Sequence, residues 1–267
     1  MKKIQPIGIF DSGIGGISVM LHIQSLLPDE SLAYVADSLY APYGLKSHQE
    51  ILNRSKAAID YLINTKSAKL IVVACNTATA SAITEMRESY EIPIIGMEPA
   101  IKPATKSTRC NRVGILATNG TLESTKFAAL LEIYSGDIKF YTQPCPGLVE
   151  LIEQGRVDDS STKDLIQKYL NSFINSQVDT IVLGCTHYIF IKNIIEEIMG
   201  PKVKIIDTGL AVAKQVKSEL KKFNLQNKVK GNNYSISTNS ENQKMKKIIK
   251  SVIKDFNSKF IYFDNWH

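Results

Sequence analysis

The chain alternates between short apolar runs and longer segments in which apolar residues recur at helical spacing. The runs are rich in β-branched residues and bounded by polar loops, which is typical of strands buried on both faces of a parallel sheet. Residues 49–63 and 163–174, between such runs, have the period of amphipathic helices. Strands that alternate with helices predict a doubly wound α/β architecture. The predicted strands include residues 7–10, 70–74, 113–116 and 180–183.

The pattern divides into two similar halves. Each half begins with a strand and a glycine-containing polar loop, residues 11–16 in the first half and 117–121 in the second. Each then reaches a cysteine at the end of a later strand after nearly the same number of residues. Prolines punctuate the seam near residues 92–106. We therefore expect an α/β protein of two pseudo-symmetric domains, each a mostly parallel sheet flanked by helices, with an active site in the cleft between them.

The pattern continues beyond residue 208. It predicts a helix over residues 210–223, a strand over 234–238 and a C-terminal amphipathic helix. The apolar stripe of this last helix runs from Met245 through Ile253 to Phe256 at helical spacing, and its lysines lie mostly off the stripe. The pattern alone leaves open which half this segment joins.

Composition fits a globular enzyme that stays inside the cell. The 267 residues are 44% hydrophobic and 22% charged, and no apolar run approaches the roughly 20 residues of a membrane span. No secretory segment follows the N-terminal lysines, so we expect a cytoplasmic protein whose thiols stay reduced. The net charge of +6 comes from the tail, where residues 210–267 hold 12 lysines and 4 acidic residues. In the C-terminal helix no aromatic residue lies between Lys244 and Lys254, which favours a solvated helix face over a nucleic-acid surface.

Two cysteines share one local pattern. Cys75 is followed by Asn76 and Thr77, Cys185 by Thr186 and His187, and each cysteine ends an apolar strand. Chemistry in open α/β sheets is usually found at such strand ends. A cysteine in an apolar run is often only a core residue, but two at equivalent positions indicate one active site served from two sides. Cys110 and Cys145 lack this context and are interpreted as structural.

Two similar acid–base groups on opposite faces of a substrate suit the inversion of a stereocentre. One group removes the Cα proton and the other returns a proton from the opposite side. The ordinary pKa of cysteine, about 8.5, is near neutrality, and we expect it to fall beside suitable neighbours. His187 is the candidate helper of Cys185, and Asp11, after the first strand, is the candidate helper of Cys75.

Other interpretations account for fewer residues. The loop from Gly13 to Gly16 is similar to a dinucleotide-binding loop, but its spacing is G-x-G-G. Cys75, Cys185 and His187 lack the paired spacing of a zinc site. C-x-x-C, the motif of thiol–disulfide oxidoreductases, is absent from the sequence. We therefore expect no metal and no cofactor.

Several motifs together resemble those of glutamate racemase, within the aspartate/glutamate racemase family. They occur in order between residues 7 and 188, so the resemblance covers much of the chain. The matching motifs are Gly8-Ile-Phe-Asp11-Ser12-Gly13, Ala36-Asp37, Ala41-Pro42-Tyr43-Gly44, Ala74-Cys75-Asn76-Thr77, Ala117-Thr118-Asn-Gly-Thr121 and Gly184-Cys185-Thr186-His187-Tyr188.

The resemblance implies cofactor-independent racemisation of glutamate to supply D-glutamate for peptidoglycan. It implies one domain of residues 1–98 plus 208–267, a second of residues 99–207, and a homodimer. Cys75 and Cys185 would be the acid–base residues, assisted by Asp11 and His187, with Glu150 tuning the Cys185 side. Aspartate racemisation and a non-catalytic amino-acid-binding protein stay open as alternatives. The implied substrate-binding residues are Asp11, Ser12, Tyr43, Gly44, Asn76, Thr77, Thr118, Thr121, Thr186 and His187.

Overall fold

The fold is taken from a computed structural model, and it is described here for residues 2–229, 233–252 and 261–266. Strands and helices alternate through most of this part of the chain. The strands are β1 Ile7–Asp11, β2 Leu32–Ala36, β3 Leu70–Val73, β4 Ile94–Gly96, β5 Arg112–Ala117, β6 Lys139–Pro144, β7 Thr180–Leu183, β8 Lys204–Ile206, β9 Tyr234–Thr238 and β10 Ile261–Asn265. The helices are α1 Ile17–Leu26, α2 His48–Asn64, α3 Asn76–Ser89, α4 Ile101–Ser107, α5 Asn119–Leu122, α6 Thr125–Tyr134, α7 Leu148–Glu153, α8 Ser160–Asn175, α9 Lys192–Met199, α10 Gly209–Lys222 and α11 Asn242–Val252.

The described strands form two parallel sheets. The six-stranded sheet has the order β10-β9-β2-β1-β3-β4, and the four-stranded sheet has the order β6-β5-β7-β8. Every registered strand pair in both sheets is parallel. Each sheet reverses its strand order beside its first strand, β1 in one and β5 in the other, as in doubly wound folds. The predicted α/β architecture with two parallel sheets is therefore confirmed.

The central strands are fully buried because helices cover both faces of each sheet. All residues of β1, β2, β3 and β7 are buried. One apolar cluster joins Ile9 and Tyr34 of the six-stranded sheet to Leu116 and Leu183 of the four-stranded sheet. The two halves therefore share part of their core, which fixes the strand ends of one sheet relative to those of the other.

The C-terminal segment completes the six-stranded sheet. The strand predicted over residues 234–238 is β9, which pairs with β2, and the predicted C-terminal helix begins as α11. Ile253 and Phe256 of the predicted stripe lie outside the described residues. The sequence pattern did not predict β10, which pairs with β9 at the edge of the sheet. The domain bounds at residues 98/99 and 207/208 stay a prediction.

Within the part of the chain that the structure describes, no helix is both long and apolar enough to cross a membrane.

Candidate active site

The polar loops singled out in the sequence lie at the carboxyl ends of two adjacent strands in each sheet. β1 leads into Asp11, β3 into Cys75, β5 into Thr118 and β7 into Cys185. Phe10 pairs with Val73 in one sheet, and Leu116 pairs with Leu183 in the other. Since all these strands are parallel, their loops open at the same edge of each sheet.

Cys75 occupies the N-cap position of α3. Its sulfur accepts a hydrogen bond from the backbone N–H of Ala78 at 3.4 Å and lies 3.6 Å from the hydroxyl of Ser12. The positive end of the helix dipole and these two contacts favour the thiolate form. Burial opposes them, because the thiol is only 5% exposed.

Burial is the dominant influence on the Cys75 thiol. Together with the nearby negative charge of Asp11, it raises the pKa of Cys75 to about 12. The expected fall in this pKa is therefore wrong for the protein without ligand. The helix dipole and the Ser12 contact are too weak to offset the cost of a buried anion.

Asp11 is fully buried beside the same strand ends. One carboxylate oxygen accepts the backbone N–H groups of Gly13 at 3.2 Å and Gly16 at 3.0 Å. The other, Oδ1, is buried without a hydrogen-bond partner among the described residues. Burial raises the pKa of Asp11, while His187 and the two N–H groups act in the opposite direction. An unpaired acceptor at this depth is a candidate contact for a ligand donor.

Cys185 lies on the other side with a different set of partners. Its sulfur is 3.7 Å from Nδ1 of His187, and Nε2 of His187 is 2.6 Å from a carboxylate oxygen of Glu153. Burial acts to lower the pKa of His187, but the contacts with Cys185 and Glu153 outweigh burial and raise that pKa well above its usual value. The imidazole is thus oriented by a carboxylate at one nitrogen and faces a thiol at the other.

The carboxylate that contacts His187 is Glu153, a residue that was not predicted from the sequence, where Glu150 was expected to tune the Cys185 side. Both residues lie on α7, one helical turn apart, and both line the adjoining cavity. Periodicity allows either residue on this short helix, and only the docking of α7 determines which carboxylate meets the imidazole. The expectation that Glu150 tunes the Cys185 side stays a prediction.

The glycine loop after β1 packs directly against Glu153, Thr186 and His187. Glu153 also accepts the backbone N–H of Ile14 at 2.7 Å. A Cβ atom at Gly15 would lie 2.5 Å from the Thr186 hydroxyl and 2.6 Å from Nδ1 of His187, and one at Gly13 would overlap the Glu153 carboxylate. Gly13 and Gly15 are required here because a side chain at either position would prevent the close approach of the two halves. This packing accounts for the glycines of the loop without a bound nucleotide.

A second contact between the halves consists of threonine hydroxyls. The hydroxyl oxygen of Thr77 lies 2.8 Å from that of Thr118 and 3.4 Å from that of Thr121. Thr118 and Thr121 are 3.1 Å apart. The structure therefore brings together three of the predicted substrate-binding residues, one from α3 and two from the start of α5.

Three further predicted binding residues, Asn76, Tyr43 and Gly44, differ in their hydrogen bonds and contacts. Oδ1 of Asn76 is buried without a hydrogen-bond partner among the described residues, so it resembles Oδ1 of Asp11. The Tyr43 hydroxyl donates a hydrogen bond to the Asp37 carboxylate. Gly44, next in the chain, lies against Thr118. The sequence analysis assigned Asp37 no chemical role.

A cavity of about 180 Å³ adjoins the Glu153 side. It lies between α7, α11 and the loop that follows β2, and its polar lining includes Ser38, Glu150, Glu153 and Ser240. Among the described residues, no group of three or more His, Cys, Asp or Glu side chains is placed to hold a metal ion. All four cysteines are free, as the composition predicted.

The fold is an α/β architecture of two parallel sheets, in which each half carries one buried thiol at a strand end beside its own polar partners. The chain belongs to the Asp/Glu/hydantoin racemase family, whose model matches residues 15–216.

Individual relatives agree with this assignment. The glutamate racemase of Ectopseudomonas mendocina is 51% identical over 212 residues, which cover 79% of this chain and 80% of the relative. The Escherichia coli glutamate racemase, solved with L-glutamate and the activator UDP-MurNAc-ala, matches with a TM-score of 0.85 and 26% identity over 98% of this chain and 97% of that one. The Francisella tularensis enzyme, solved with D-glutamate, has a TM-score of 0.84 and 30% identity over 99% and 97%.

The Glu153–His187 contact predicts a titration difference between two matched variants. Replacing Glu153 with Gln removes the carboxylate that supports the imidazolium, so the pKa of His187 should fall. Glu150→Gln, one turn away on α7, should leave it unchanged. NMR titration of the histidine ring signals in both variants measures this difference. An equal fall of the His187 pKa in both variants would show that any negative charge near the cavity supports the imidazolium. That result would contradict a specific Glu153–His187 pair.

The burial of Cys75 predicts its reactivity. In a Cys185→Ser variant, alkylation of Cys75 by a small reagent should rise about tenfold per pH unit from about pH 7 to 9 without levelling, because only the thiolate reacts. A free cysteine in solution should level near its ordinary pKa of ~8.5 under the same conditions. Site-resolved mass spectrometry gives the rates. If the alkylation rate of Cys75 levels at the same pH as that of free cysteine, the pKa of the Cys75 thiol is not raised.

Proposed function

We propose that this protein racemises glutamate by proton transfer at Cα between two thiols, Cys75 and Cys185. The observation that carries the proposal is the pairing of two free, buried cysteines at equivalent strand ends, each with its own polar partners, Ser12 and Asp11 or His187 and Glu153. Because the chain belongs to the Asp/Glu/hydantoin racemase family, we assign this pair of cysteines to proton transfer at Cα.

Glutamate is the substrate that the relatives support. The family includes aspartate racemases, but the 51% identical relative is a glutamate racemase. The two solved relatives were crystallised with L-glutamate and with D-glutamate. A non-catalytic binding protein would not require either thiol, and both are present with their partners. Glutamate racemisation is therefore favoured over both alternatives.

In the proposed reaction the thiolate of one cysteine takes the Cα proton, so an S–H bond forms as the C–H bond breaks. The electron pair stays on the substrate beside its carboxylate. The thiol of the other cysteine then donates its proton to the opposite face and becomes the thiolate. The reverse reaction uses the same groups with their roles exchanged, so no external acid, base or oxidant is needed.

The raised pKa of Cys75 gives the substrate a part in preparing the site. A buried thiolate beside Asp11 is unfavourable without a positive charge nearby. The α-ammonium group of glutamate can supply that charge, and the unpaired Oδ1 atoms of Asp11 and Asn76 can accept its hydrogen bonds. Binding and activation would then be coupled, since the thiolate becomes favourable only when substrate is in place.

The two carboxylates of glutamate need donors. Ser12, Thr77, Thr118, Thr121 and Thr186 supply hydroxyls, and the starts of α3 and α5 supply backbone N–H groups. We include Gly44 through its backbone. For Tyr43 we propose a supporting role, because its hydroxyl is already bound to Asp37.

The biological setting follows from the family. D-Glutamate made by this reaction would serve peptidoglycan synthesis in the cytoplasm. A homodimer also stays a prediction, and light scattering of the purified protein would test it.

Isotope incorporation tests the two-thiol mechanism directly. In D₂O, D-glutamate formed from L-glutamate should carry deuterium at Cα, while unreacted L-glutamate gains little at early times. The proton removed and the proton added belong to different thiols, and the donating thiol exchanges with solvent. NMR or mass spectrometry of both enantiomers, run in each direction, measures this. Early product without solvent deuterium would contradict the mechanism.

Substitution of the thiols supplies the matching control. Cys75→Ala and Cys185→Ala should each abolish racemisation in both directions, and the serine variants should lose roughly 10²-fold or more of the rate. Cys110→Ala, which removes a thiol distant in sequence from both motifs, should remain active. Substantial racemisation by Cys75→Ala would refute the role of that residue.

The auxiliary groups should give unequal effects on the two directions. Asp11→Asn and His187→Gln should lower kcat by roughly 10²–10⁴-fold, because each group supports one thiol. L- and D-glutamate have equal free energies in water, so kcat/KM must stay equal in the two directions for every variant. The inequality should therefore appear in kcat and KM separately. Near-normal kcat in both directions for both variants would exclude the assigned roles.

A further inference from the structure

We propose that Asp37, Arg54, Asn239 and Trp266 form a positioning network that holds the Tyr43–Gly44 loop in the geometry that binds glutamate. The inference rests on the proposed function. It gives the C-terminal segment, which contributes Asn239 and Trp266, a part in substrate affinity.

The carboxylate of Asp37 is the centre of this network. It is fully buried and accepts hydrogen bonds from Arg54 through Nε at 2.9 Å and Nη2 at 2.6 Å. The Tyr43 hydroxyl and the side-chain amide of Asn239 donate to the same carboxylate. The backbone N–H of Asp37 donates to the carbonyl of Asp11 at 3.0 Å, which connects the network to β1, the strand that ends at Asp11.

Asn239 connects both ends of the turn that precedes the loop. Its amide nitrogen donates to Asp37, and its carbonyl oxygen accepts the backbone N–H of Leu39 at 3.0 Å. One side chain from the residues after β9 therefore fixes the turn between β2 and the Tyr43–Gly44 loop. A shorter side chain at this position would free both contacts at once.

Trp266, the residue after β10, supports the network. Its indole N–H donates to the carbonyl of Ala36 at 2.9 Å, one residue before Asp37. The guanidinium of Arg54 lies 3.8 Å from the ring centroid of Tyr40 and 5.3 Å from that of Trp266. Both rings are within cation–π range, which favours the position in which the guanidinium makes its bidentate contact with Asp37.

The loop held by this network contacts the other half of the site. A Cβ atom at Gly44 would lie 2.9 Å from Cβ of Thr118, and one at Gly120 would lie 3.1 Å from the Gly44 carbonyl oxygen. A small displacement of the loop would therefore disturb Thr118, whose hydroxyl belongs to the threonine cluster with Thr77. Affinity for a substrate carboxylate should be sensitive to this displacement.

The network draws on chain that the family model does not match. The match covers residues 15–216, which include Asp37, Tyr43 and Arg54, whereas Asn239 and Trp266 follow it. The C-terminal segment is thus not only an added pair of strands. It supplies a hydrogen-bond donor to the buried carboxylate and an aromatic face to the arginine.

A positioning role and a purely structural role differ in kinetics. A loop that only stabilises the fold would alter the melting temperature without altering KM at temperatures where the protein is folded. A loop that orients a binding group should raise KM while kcat stays nearly constant, because the lost interaction serves substrate and transition state alike.

The test compares Asn239→Ala, Trp266→Phe and Arg54→Lys with wild type and with Asp264→Asn. Asp264 lies on β10 but pairs with Lys66 at 3.0 Å, outside the network. For glutamate in both directions, KM should rise about twofold to tenfold in the three network variants, as expected for one or two lost hydrogen bonds. Their kcat should stay within about twofold, and Asp264→Asn should keep the wild-type KM. Thermal melts establish that each variant is folded at the assay temperature.

Three results would overturn the inference. These are an unchanged KM in folded Asn239→Ala and Trp266→Phe, a fall in kcat with KM unchanged, and an equal rise of KM in Asp264→Asn. If Arg54→Lys does not fold, the two milder variants decide. Wild-type protein without racemase activity would instead refute the proposed function, so the two failures are distinguishable.

Discussion

The carboxylate of Glu153 is shared between the two halves of the molecule, and the geometry of the site depends on it. It accepts the backbone N–H of Ile14 from the first half at 2.7 Å and lies 2.6 Å from His187 of the second. Because one carboxylate satisfies both groups, the glycine loop and the imidazole must meet at a fixed separation. The loop can approach this closely only without side chains at Gly13 and Gly15.

Close approach of the halves has an electrostatic consequence. It removes the thiols and carboxylates from water, which raises the pKa values of Cys75 and Asp11. Buried polar atoms without partners normally destabilise a protein, and the Oδ1 atoms of Asp11 and Asn76 have no hydrogen-bond partner within the part of the chain that the structure describes. A zwitterionic substrate is suited to this environment, because its ammonium group satisfies acceptors and compensates negative charge at the same time.

The features that depend on local pattern could be predicted from the sequence. Buried parallel strands require continuous apolar runs, so the positions of Cys75 and Cys185 at strand ends followed from the pattern. The position of the edge strand β10 did not follow from the pattern, because within the strand the apolar run covers only residues 261–263 before Asp264, and its place in the sheet depends on pairing with β9. Glu153 was missed because a turn of α7 offers two carboxylates, and tertiary docking selects one. Asp37 was missed because its donors include Asn239, which is distant in sequence and reaches it only through the pairing of β9 with β2.

The two halves are alike in backbone pattern but unlike in the chemistry around each thiol. Cys75 has a helix N-terminus, a hydroxyl and a carboxylate nearby, whereas Cys185 has an imidazole backed by a carboxylate. Symmetry of the reaction does not demand symmetry of the site. In the proposed mechanism, equal free energies of the enantiomers fix only the ratio of kcat/KM in the two directions, so a difference between the surroundings of the two thiols can be balanced by a difference in the binding of L- and D-glutamate. The pseudo-symmetric fold provides one strand end with a cysteine in each half, and under the proposed mechanism the residues beside each thiol are free to differ within that single constraint.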